Sequence, residues 1–532
     1  MDPLAKISTR VTPQTQRASG PEGTRQVPNS AGGYAFAVPD ETRIRRFLTL
    51  GTDSGTYYAS ASELTAANAA LVLAAATHRA AWLTSEIVAI SGAGRAPRPN
   101  PALFALAAAA SLGDEAGRKA ALDALPRVAR TGTHLFLFAR YIEQFRGWGR
   151  GLRRAVGAWY LDQGVPELAY QAVKYRQREG WTHRDLLRLA HPKAQGDRAA
   201  LFEWIVRGGG SEIPLVNACL EAQVATQVST WVGLIGAHPL SWEMLPDAAL
   251  AEPAVWAALI ERGLPQTALI RQLPRLTRMG VLTPGSAALR TVVSQLQDVD
   301  RLRKGRVHPV NVLVAQRTYA SGRSVRGTGE WTPVRPVVDA LDQAFYAAFG
   351  TVEPAGKRTL LALDVSGSMG WSAAGTALTC REASAALALV TMATEPDTTV
   401  VGFTAGGRRN AGLSELALSP RQRLDDAIAS ISDLPFGGTD CSLPFTWATE
   451  QKREFDSVVV FTDNETYAGA VHPHQALETY RQKLGLDTRL VVVGLTANEV
   501  SIADPANPAM LDVAGFDAAV PNLIADFCRG DL

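Results

Sequence analysis

Arg358-Thr-Leu-Leu-Ala-Leu-Asp364 and Ser457-Val-Val-Val-Phe-Thr-Asp463 are apolar runs of strand length, and each ends on a carboxylate. Arg489-Leu-Val-Val-Val-Gly494 and Thr399-Val-Val-Gly-Phe403 have the same character without the acid, and helical patterns lie between, near Thr379 to Ala393 and Pro420 to Ser432. Strands apolar at nearly every position are covered on both faces, and their alternation with amphipathic helices describes a doubly wound α/β domain with a mostly parallel sheet. Residues 356–532 are read as this domain. In such a sheet functional groups gather at the carboxyl ends of the strands. Asp364 and Asp463 both arrive at that edge.

Directly after the first strand comes Asp364-Val-Ser366-Gly-Ser368. In an extended loop the intervening positions point away, so Asp364, Ser366 and Ser368 can turn three oxygens toward one point. Thr439, in Gly437-Gly438-Thr439-Asp440, and Asp463 can add two more. Hard divalent cations take oxygen ligands, and a set with few carboxylates leaves the cation open to an acidic ligand from outside. The five elements and their order resemble the metal-ion-dependent adhesion site of von Willebrand A domains. The resemblance implies one divalent cation, Mg2+ first, with Ca2+ or Mn2+ as alternatives.

Enzymatic readings of the same edge lack their parts. A phosphatase with a nucleophilic aspartate in a DxD pattern needs a carboxylate where Ser366 stands, and there is no GxxxxGK[ST], GxSxG or HExxH motif. His472 and His474 flank Pro473 and are read as solvated loop residues. Cys219, Cys380, Cys441 and Cys528 are far apart and form no CxxC pair, so they read as idle thiols. No apolar run reaches the length of a membrane span and residues 1–33 lack a signal-like core, which leads to the expectation of a cytoplasmic protein.

The net charge of +2 conceals two halves of opposite sign: residues 357–532 hold 13 Lys and Arg against 22 Asp and Glu, and residues 1–356 hold 40 against 29. A basic body attracts polyanions. Residues 1–28 are polar and aperiodic, and are expected to be a mobile tail. From about Pro39 to Phe349 short helical segments follow one another, among them Glu63 to His78, Pro101 to Ser111, Thr133 to Phe145, Gly151 to Leu161, Pro166 to Arg178, Arg184 to His191 and Pro253 to Arg262. Each is apolar at i, i+3, i+4 and broken by Gly or Pro. Their density favours stacked helix pairs of the HEAT or armadillo kind over residues 29–350.

Positive charge concentrates in one part of that half, from Arg146-Gly-Trp-Gly-Arg150 through Lys174-Tyr-Arg-Gln-Arg178 to Arg184, Arg188 and His191. On a helix from Pro166, Leu168, Ala169, Ala172 and Tyr175 make the apolar stripe, which puts Lys174 and Arg178 on a solvent-facing side. On the next helix Arg184, Arg188 and His191 align, with Leu186, Leu187 and Ala190 inward. Such cations suit phosphates, and a histidine among them can meet an unpaired base. Trp148, Trp159 and Trp181 are read as packing residues.

Lys174-Tyr-Arg-Gln-Arg-Glu-Gly-Trp-Thr-His-Arg-Asp-Leu-Leu-Arg-Leu-Ala-His191, His238-Pro-Leu-Ser-Trp-Glu-Met-Leu-Pro246, Gln266-Thr-Ala-Leu-Ile-Arg-Gln-Leu273 and Arg306-Val-His-Pro-Val-Asn-Val-Leu313 together resemble the TROVE module of the Ro ribonucleoprotein family. The resemblance covers roughly residues 29–532. It implies an α-helical HEAT-like repeat toroid followed by the von Willebrand A domain. It also implies binding of small non-coding Y RNAs and of single-stranded ends of structured or misfolded RNA, in RNA quality control, processing or decay, with an exoribonuclease reached through the Y RNA. The family's RNA-contacting positions match Lys174, Arg178 and His191. Glu179 departs from an all-basic segment. The rival from another class is a protein-interaction scaffold that recruits an acidic partner through the metal, and a metal-dependent hydrolase stands third, short of a base and a nucleophile.

Overall fold

The computed structural model describes residues 11–50, 61–96, 98–324, 328–350, 352–373, 378–406, 412–420, 422–432, 437–496, 498–517 and 519–531, with 61–68 and parts of 424–432 described for the backbone alone. The chain divides into two compact units. One holds residues 70–94 and 98–348; the other joins residues 1–69 and 95–97 to residues 349–532.

The first unit is helical. Its helices include Ala80–Ala93, Asn100–Leu112, Glu115–Val128, Gly132–Glu143, Arg150–Leu161, Val165–Lys174, His183–Ala190, Pro253–Arg262, Gln266–Arg278 and Pro309–Ala320. Packing runs mainly between every second helix: Ala80–Ala93 on Glu115–Val128, that helix on Arg150–Leu161, and Arg150–Leu161 on His183–Ala190. Helices that lean on their next-but-one neighbours form two stacked rows, the geometry of a helical repeat. Breaks carry their own capping chemistry. Asp114 accepts from the Gly117 N–H at 2.7 Å, and Thr182 and Asp185 form a capping box at the start of His183–Ala190.

In the second unit six strands lie in the order Met510–Ala514, Arg489–Gly494, Ser457–Thr462, Thr359–Asp364, Thr398–Phe403, Leu413–Glu415. All neighbours are parallel except the last pair. Every residue of Thr359–Asp364 and of Ser457–Thr462 is buried, as their uninterrupted apolar runs require. Leu360, Ala362, Val401, Phe403, Val458, Val460, Leu490 and Val492 fill one face with Phe445, Phe455 and Tyr480.

The expected mobile tail over residues 1–28 does not hold for residues 11–28; residues 1–10 lie outside the described residues. Strand Gln26–Pro28 pairs with Tyr34–Ala37, and Tyr34–Ala37 pairs with Val500–Ser501 from the far end of the chain. The helix Asp40–Leu50 then sends Arg46, 1 % exposed, into the acidic unit, where it donates to both oxygens of Asp512 at 2.7 and 2.8 Å and to the carbonyls of Asn498 and Val500. Residues 29–50 therefore pack with the C-terminal domain, although they were read as the start of the helical one. The reason is long-range: the apolar side chains of this segment, Phe36, Val38, Ile44, Phe47 and Leu48 among them, are buried, and its strand and Arg46 are held by partners more than 400 positions away.

Arg46→Ala leaves Asp512 half-buried without its cation, and removing one partner of a desolvated pair costs about 3–5 kcal/mol. Denaturant unfolding followed by limited proteolysis is expected to show the acidic unit destabilised on that scale, with cleavage appearing between residues 11 and 50.

Candidate functional site

Asp364 ends its strand and Asp463 follows the neighbouring parallel strand, so the sheet brings the two carboxylates to one edge. Both are buried, together with Ser366, Ser368 and Thr439, none more than 4 % exposed. The Asp364 carboxylate accepts from the Ser366 N–H at 2.9 Å and from the Thr462 hydroxyl at 2.7 Å. The Ser366 and Ser368 hydroxyls lie 3.1 Å apart. One Asp463 oxygen accepts from the Glu465 N–H at 3.1 Å, whereas Asp463 Oδ2 and Thr439 Oγ1 have no hydrogen-bond partner among the described residues. Buried polar atoms are normally paired. Two orphaned oxygens contributed by separate loops of a five-oxygen set fit a cation as the missing partner.

Electrostatics agree. Burial raises the Asp364 pKa well above the ordinary carboxylate range, and the charge of Asp463 raises it further. Burial also raises Asp463, partly offset by the Ser368 hydroxyl. Two like charges in a dry site resist ionisation together until a counter-charge arrives. Among the described residues no group of three or more His, Cys, Asp or Glu side chains is arranged to hold a metal. A metal here has to be taken by two carboxylates and three hydroxyls, a donor set suited to Mg2+ rather than to a softer ion.

Two supports escape a reading of local motifs. Arg381, on the helix Cys380–Thr394, donates to the carbonyls of Val365 at 2.7 Å and Ser366 at 3.3 Å and so holds the Asp364 loop from behind. Gln14, fully buried, donates to Asp440 at 2.8 Å and to the Val471 carbonyl at 2.9 Å, and accepts from the Thr466 hydroxyl at 2.6 Å and the Gly469 N–H at 3.2 Å. Gly469 leaves the room this needs, since a Cβ there would lie 2.2 Å from the Gln14 amide nitrogen. The Thr439 carbonyl in turn accepts from the Tyr467 and Ala468 N–H groups. Gln14 thus fixes, through Asp440 and Thr466, the two loops that carry Thr439 and Asp463. Asn29, Ser30 and Ala31 add contacts to Thr466 and Glu465. His472 and His474, expected to be solvated, are buried under this N-terminal segment; His472 bonds Gln26 and the Gln16 carbonyl. The four cysteines are buried and unpaired.

In the helical unit the basic residues divide. Helix Val165–Lys174 ends at Lys174, because Tyr175 leaves helical geometry, and Gln177–Arg178 pairs with Trp181–Thr182 in a two-residue hairpin whose turn residues Glu179 and Gly180 have φ of 56° and 82°. Lys174 and Arg178 consequently do not share a helix face. The Lys174 side chain is only 8 % exposed; it lies 5.2 Å from the Tyr170 and Tyr175 ring centroids and 3.7 Å from Glu243. Burial works to lower its pKa, but the two tyrosines and Glu243 leave it raised, so the ammonium stays charged inside this cage. Glu179, the acid beside Arg178, pairs with Arg140. His191 is exposed, and caps its helix in the left-handed conformation, φ 46° and ψ 49°, instead of continuing the Arg184–Arg188 row. Arg150, Arg178, Arg184 and Arg188 are exposed. Trp159 is a packing residue, as read from sequence, with its indole N–H on the Ala129 carbonyl.

For metal-free protein the sign of the pH dependence follows from the raised pKa values. Between the ordinary aspartate value of about 3.9 and neutrality the native state binds more protons than the unfolded one, so this site's contribution to stability falls as pH rises. In chelator, Asp364→Asn is expected to melt above the parent at pH 8, by about 2–4 °C per kcal/mol relieved, and to match it near pH 5. With millimolar Mg2+ at pH 8 the order reverses. A melting series in which the two proteins differ equally at all pH values would remove the buried-pair account. Gln14→Ala is expected to weaken Mg2+ binding several-fold by calorimetry while Asp364 is untouched; unchanged affinity with a lower melting temperature would reduce Gln14 to a structural role.

The chain matches two family models: the Ro60 vWA domain over residues 358–528 and the TROVE domain over residues 27–207 and 237–319. It is 43 % identical over 539 residues to a protein of Deinococcus radiodurans named RNA-binding protein RO60, covering 99 % of both chains. It is 34 % identical over 590 residues to a Caenorhabditis elegans protein of the same name, covering 95 % of this chain and 90 % of that one. The crystal structure of the Deinococcus radiodurans RO (RSR) protein is similar with a TM-score of 0.71 and 43 % identity, over 93 % of this chain and all of that one. With a helical unit that carries the TROVE module and a C-terminal von Willebrand A domain, the chain belongs to the Ro60 family of TROVE proteins.

Proposed function

We propose that this protein binds RNA through its helical unit and has no catalytic activity of its own. One observation carries the reading. The side chains of Arg150, Arg178, Arg184 and Arg188 are exposed and make no hydrogen bond or ion pair among the described residues, whereas the prominent arginines of the acidic unit are committed: Arg358 to Asp456 and Glu454, Arg529 to Asp526 and Asp531, Arg25 to Asp504. Four uncommitted guanidinium groups on neighbouring helices and their hairpin are a phosphate-binding surface, and relatives named as RNA-binding proteins support that use. His191, exposed at the end of the same helix, adds a ring for an unpaired base. Lys174 supports this surface from its tyrosine cage instead of meeting phosphate as a free cation.

Within this reading the RNA is a small structured non-coding RNA of the Y class or a defective structured RNA with a single-stranded end. The setting is RNA quality control, processing or decay in the cytoplasm, with an exoribonuclease joined through the Y RNA. No described helix is long and apolar enough to cross a membrane. The von Willebrand A domain takes one Mg2+ through Asp364, Ser366, Ser368, Thr439 and Asp463, and the bound ion supplies charge to hold an anionic ligand. An ion held by two carboxylates and three hydroxyls would still attract an acidic group from outside, which supports a second reading for the same domain, recruitment of an acidic protein partner, alongside RNA binding elsewhere.

Replacing Arg178, Arg184 and Arg188 together by Ala is expected to flatten the log-log salt dependence of RNA binding by about 0.7–0.9 per lost phosphate contact, roughly two to three units in all. The melting temperature should stay at the parent value, because none of the three holds another residue. Anisotropy titrations at several salt concentrations, with a structured RNA bearing a 3′ tail, make the measurement. Curves that superimpose on the parent at every salt would favour the scaffold reading.

A further inference from the structure

The stretches Gln266 to Leu273 and Arg306 to Leu313 line a cavity that the phosphate-binding surface does not use. Helices Gln266–Arg278 and Pro309–Ala320 pack on one another, and a space of about 260 Å³ opens between them. Its walls are mainly apolar: Ile270 and Val307 are buried and Val314 half-buried, Thr267 and Thr318 also line it, and no aromatic ring does so among the described residues. Pro274, also in the wall, has no N–H, so the Ile270 carbonyl cannot receive the hydrogen bond that an α-helix would give it. Arg271 and Asn311 stand exposed at the same cavity, and neither side chain has a hydrogen-bond or ion-pair partner among the described residues.

We propose that this cavity is a nucleotide pocket that takes one unpaired base of a bound RNA. The apolar walls receive the faces of the ring, the Asn311 carboxamide meets its polar edge, and Arg271 pairs with the adjoining phosphate. The chemistry selects this ligand over simpler ones. A free phosphate or a hydrated cation gains nothing from Ile270, Val307 and Val314, and an aliphatic side chain gains nothing from a carboxamide and a guanidinium without partners. A planar heterocycle with both donors and acceptors on its rim, tethered to an anion, uses all of them. The volume lies just under the range of small-molecule sites, about 300–1,000 Å³, which suits a single nucleotide and excludes a helical duplex. The assignment rests on the RNA-binding reading and adds to it a place where single strands are distinguished from paired ones.

The test uses the full chain and a single-stranded RNA carrying 2-aminopurine, beside a duplex of the same length. With the parent protein the emission is expected to rise on binding, since the base leaves its stacked neighbours for walls without aromatic quenchers. Asn311→Ala is expected to lower single-strand affinity by about five- to hundred-fold, the usual value of a good base-edge contact, and to abolish the emission rise, with duplex binding unchanged. Arg271→Ala should lower affinity and reduce the salt slope by about 0.7. Ala315→Phe, which fills the cavity, should act like Asn311→Ala, and the exposed Asn311 keeps the test open if the larger ring disturbs folding. If both Asn311→Ala and Arg271→Ala bind like the parent while the triple arginine variant loses RNA, the pocket assignment is overturned and the RNA-binding reading stands. If the triple arginine variant also binds like the parent, the underlying reading fails as well, and the pocket with it.

Discussion

Two carboxylates on adjacent parallel strands, with almost no water to solvate them, set the terms for the acidic unit. Asp364 and Asp463 are 0 % and 1 % exposed. An isolated buried charge costs several kcal/mol even after relaxation, and a like charge beside it raises that cost. The surroundings read as the response. Thr462 and the Ser366 N–H donate to Asp364, Arg381 holds the loop carbonyls from behind, and Gln14 ties down the loops on the other side. None of these groups neutralises the pair. They fix its position, and the metal proposed for this site would supply the missing counter-charge.

The same chain deals with positive charge in two opposite ways. In the acidic unit arginines close on carboxylates or carbonyls: Arg46 is buried with all of its contacts inside the protein, and Arg358 bridges Asp456 and Glu454. In the helical unit Arg130, Arg198, Arg275 and Arg301 close on carbonyls in the same way, but the side chains of Arg150, Arg178, Arg184 and Arg188 have no such closure among the described residues. Exposed ion pairs contribute little to stability, so leaving these cations single costs the fold little and keeps their charge available to a polyanion. Net charge by half of the chain shows the asymmetry, but pairing shows which charges remain free to act.

Much of this was legible in the sequence where the cause is local. Buried strands need apolar residues at nearly every position, so the runs ending at Asp364 and Asp463 declared the sheet and the edge at which the two carboxylates meet. The alternation in Asp364-Val-Ser366-Gly-Ser368 gave three of the five oxygens, and helix periodicity gave the segments from Pro101 to His191 to within a few residues. What failed was long-range or lay at an element's end. Residues 11–50 have no core of their own, and the 426 positions between Gln14 and Asp440 leave no local trace of their bond. The Lys174 and Arg178 alignment failed because the helix stops at Lys174; Gly180, two residues past Arg178, was the available signal, since its φ of 82° belongs to a tight turn. A histidine read as exposed on polarity alone, such as His472, is equally open to correction by a segment that arrives from the other end of the chain.

A regular helix or sheet satisfies its own backbone, which leaves its interior little to offer a ligand beyond side chains. The groups of interest in this molecule gather where that satisfaction lapses. The loop after Asp364 begins where the strand stops, and Ser366 and Ser368, released from the ladder, are held instead by Asp364, by Arg381 and by each other. His191 leaves helical geometry at the end of the Arg184 and Arg188 helix, which carries its ring off the row of arginines. Pro274, in the wall of a cavity, removes one hydrogen bond from the helix Gln266–Arg278. Glu179 and Gly180 turn the chain so that Arg178 projects from a hairpin while Glu179 is taken by Arg140. In each case the interruption is small, one or two residues, and the flanking elements stay packed. Rigid neighbours hold the exposed group in place, so its orientation survives even though its own hydrogen-bonding pattern is broken.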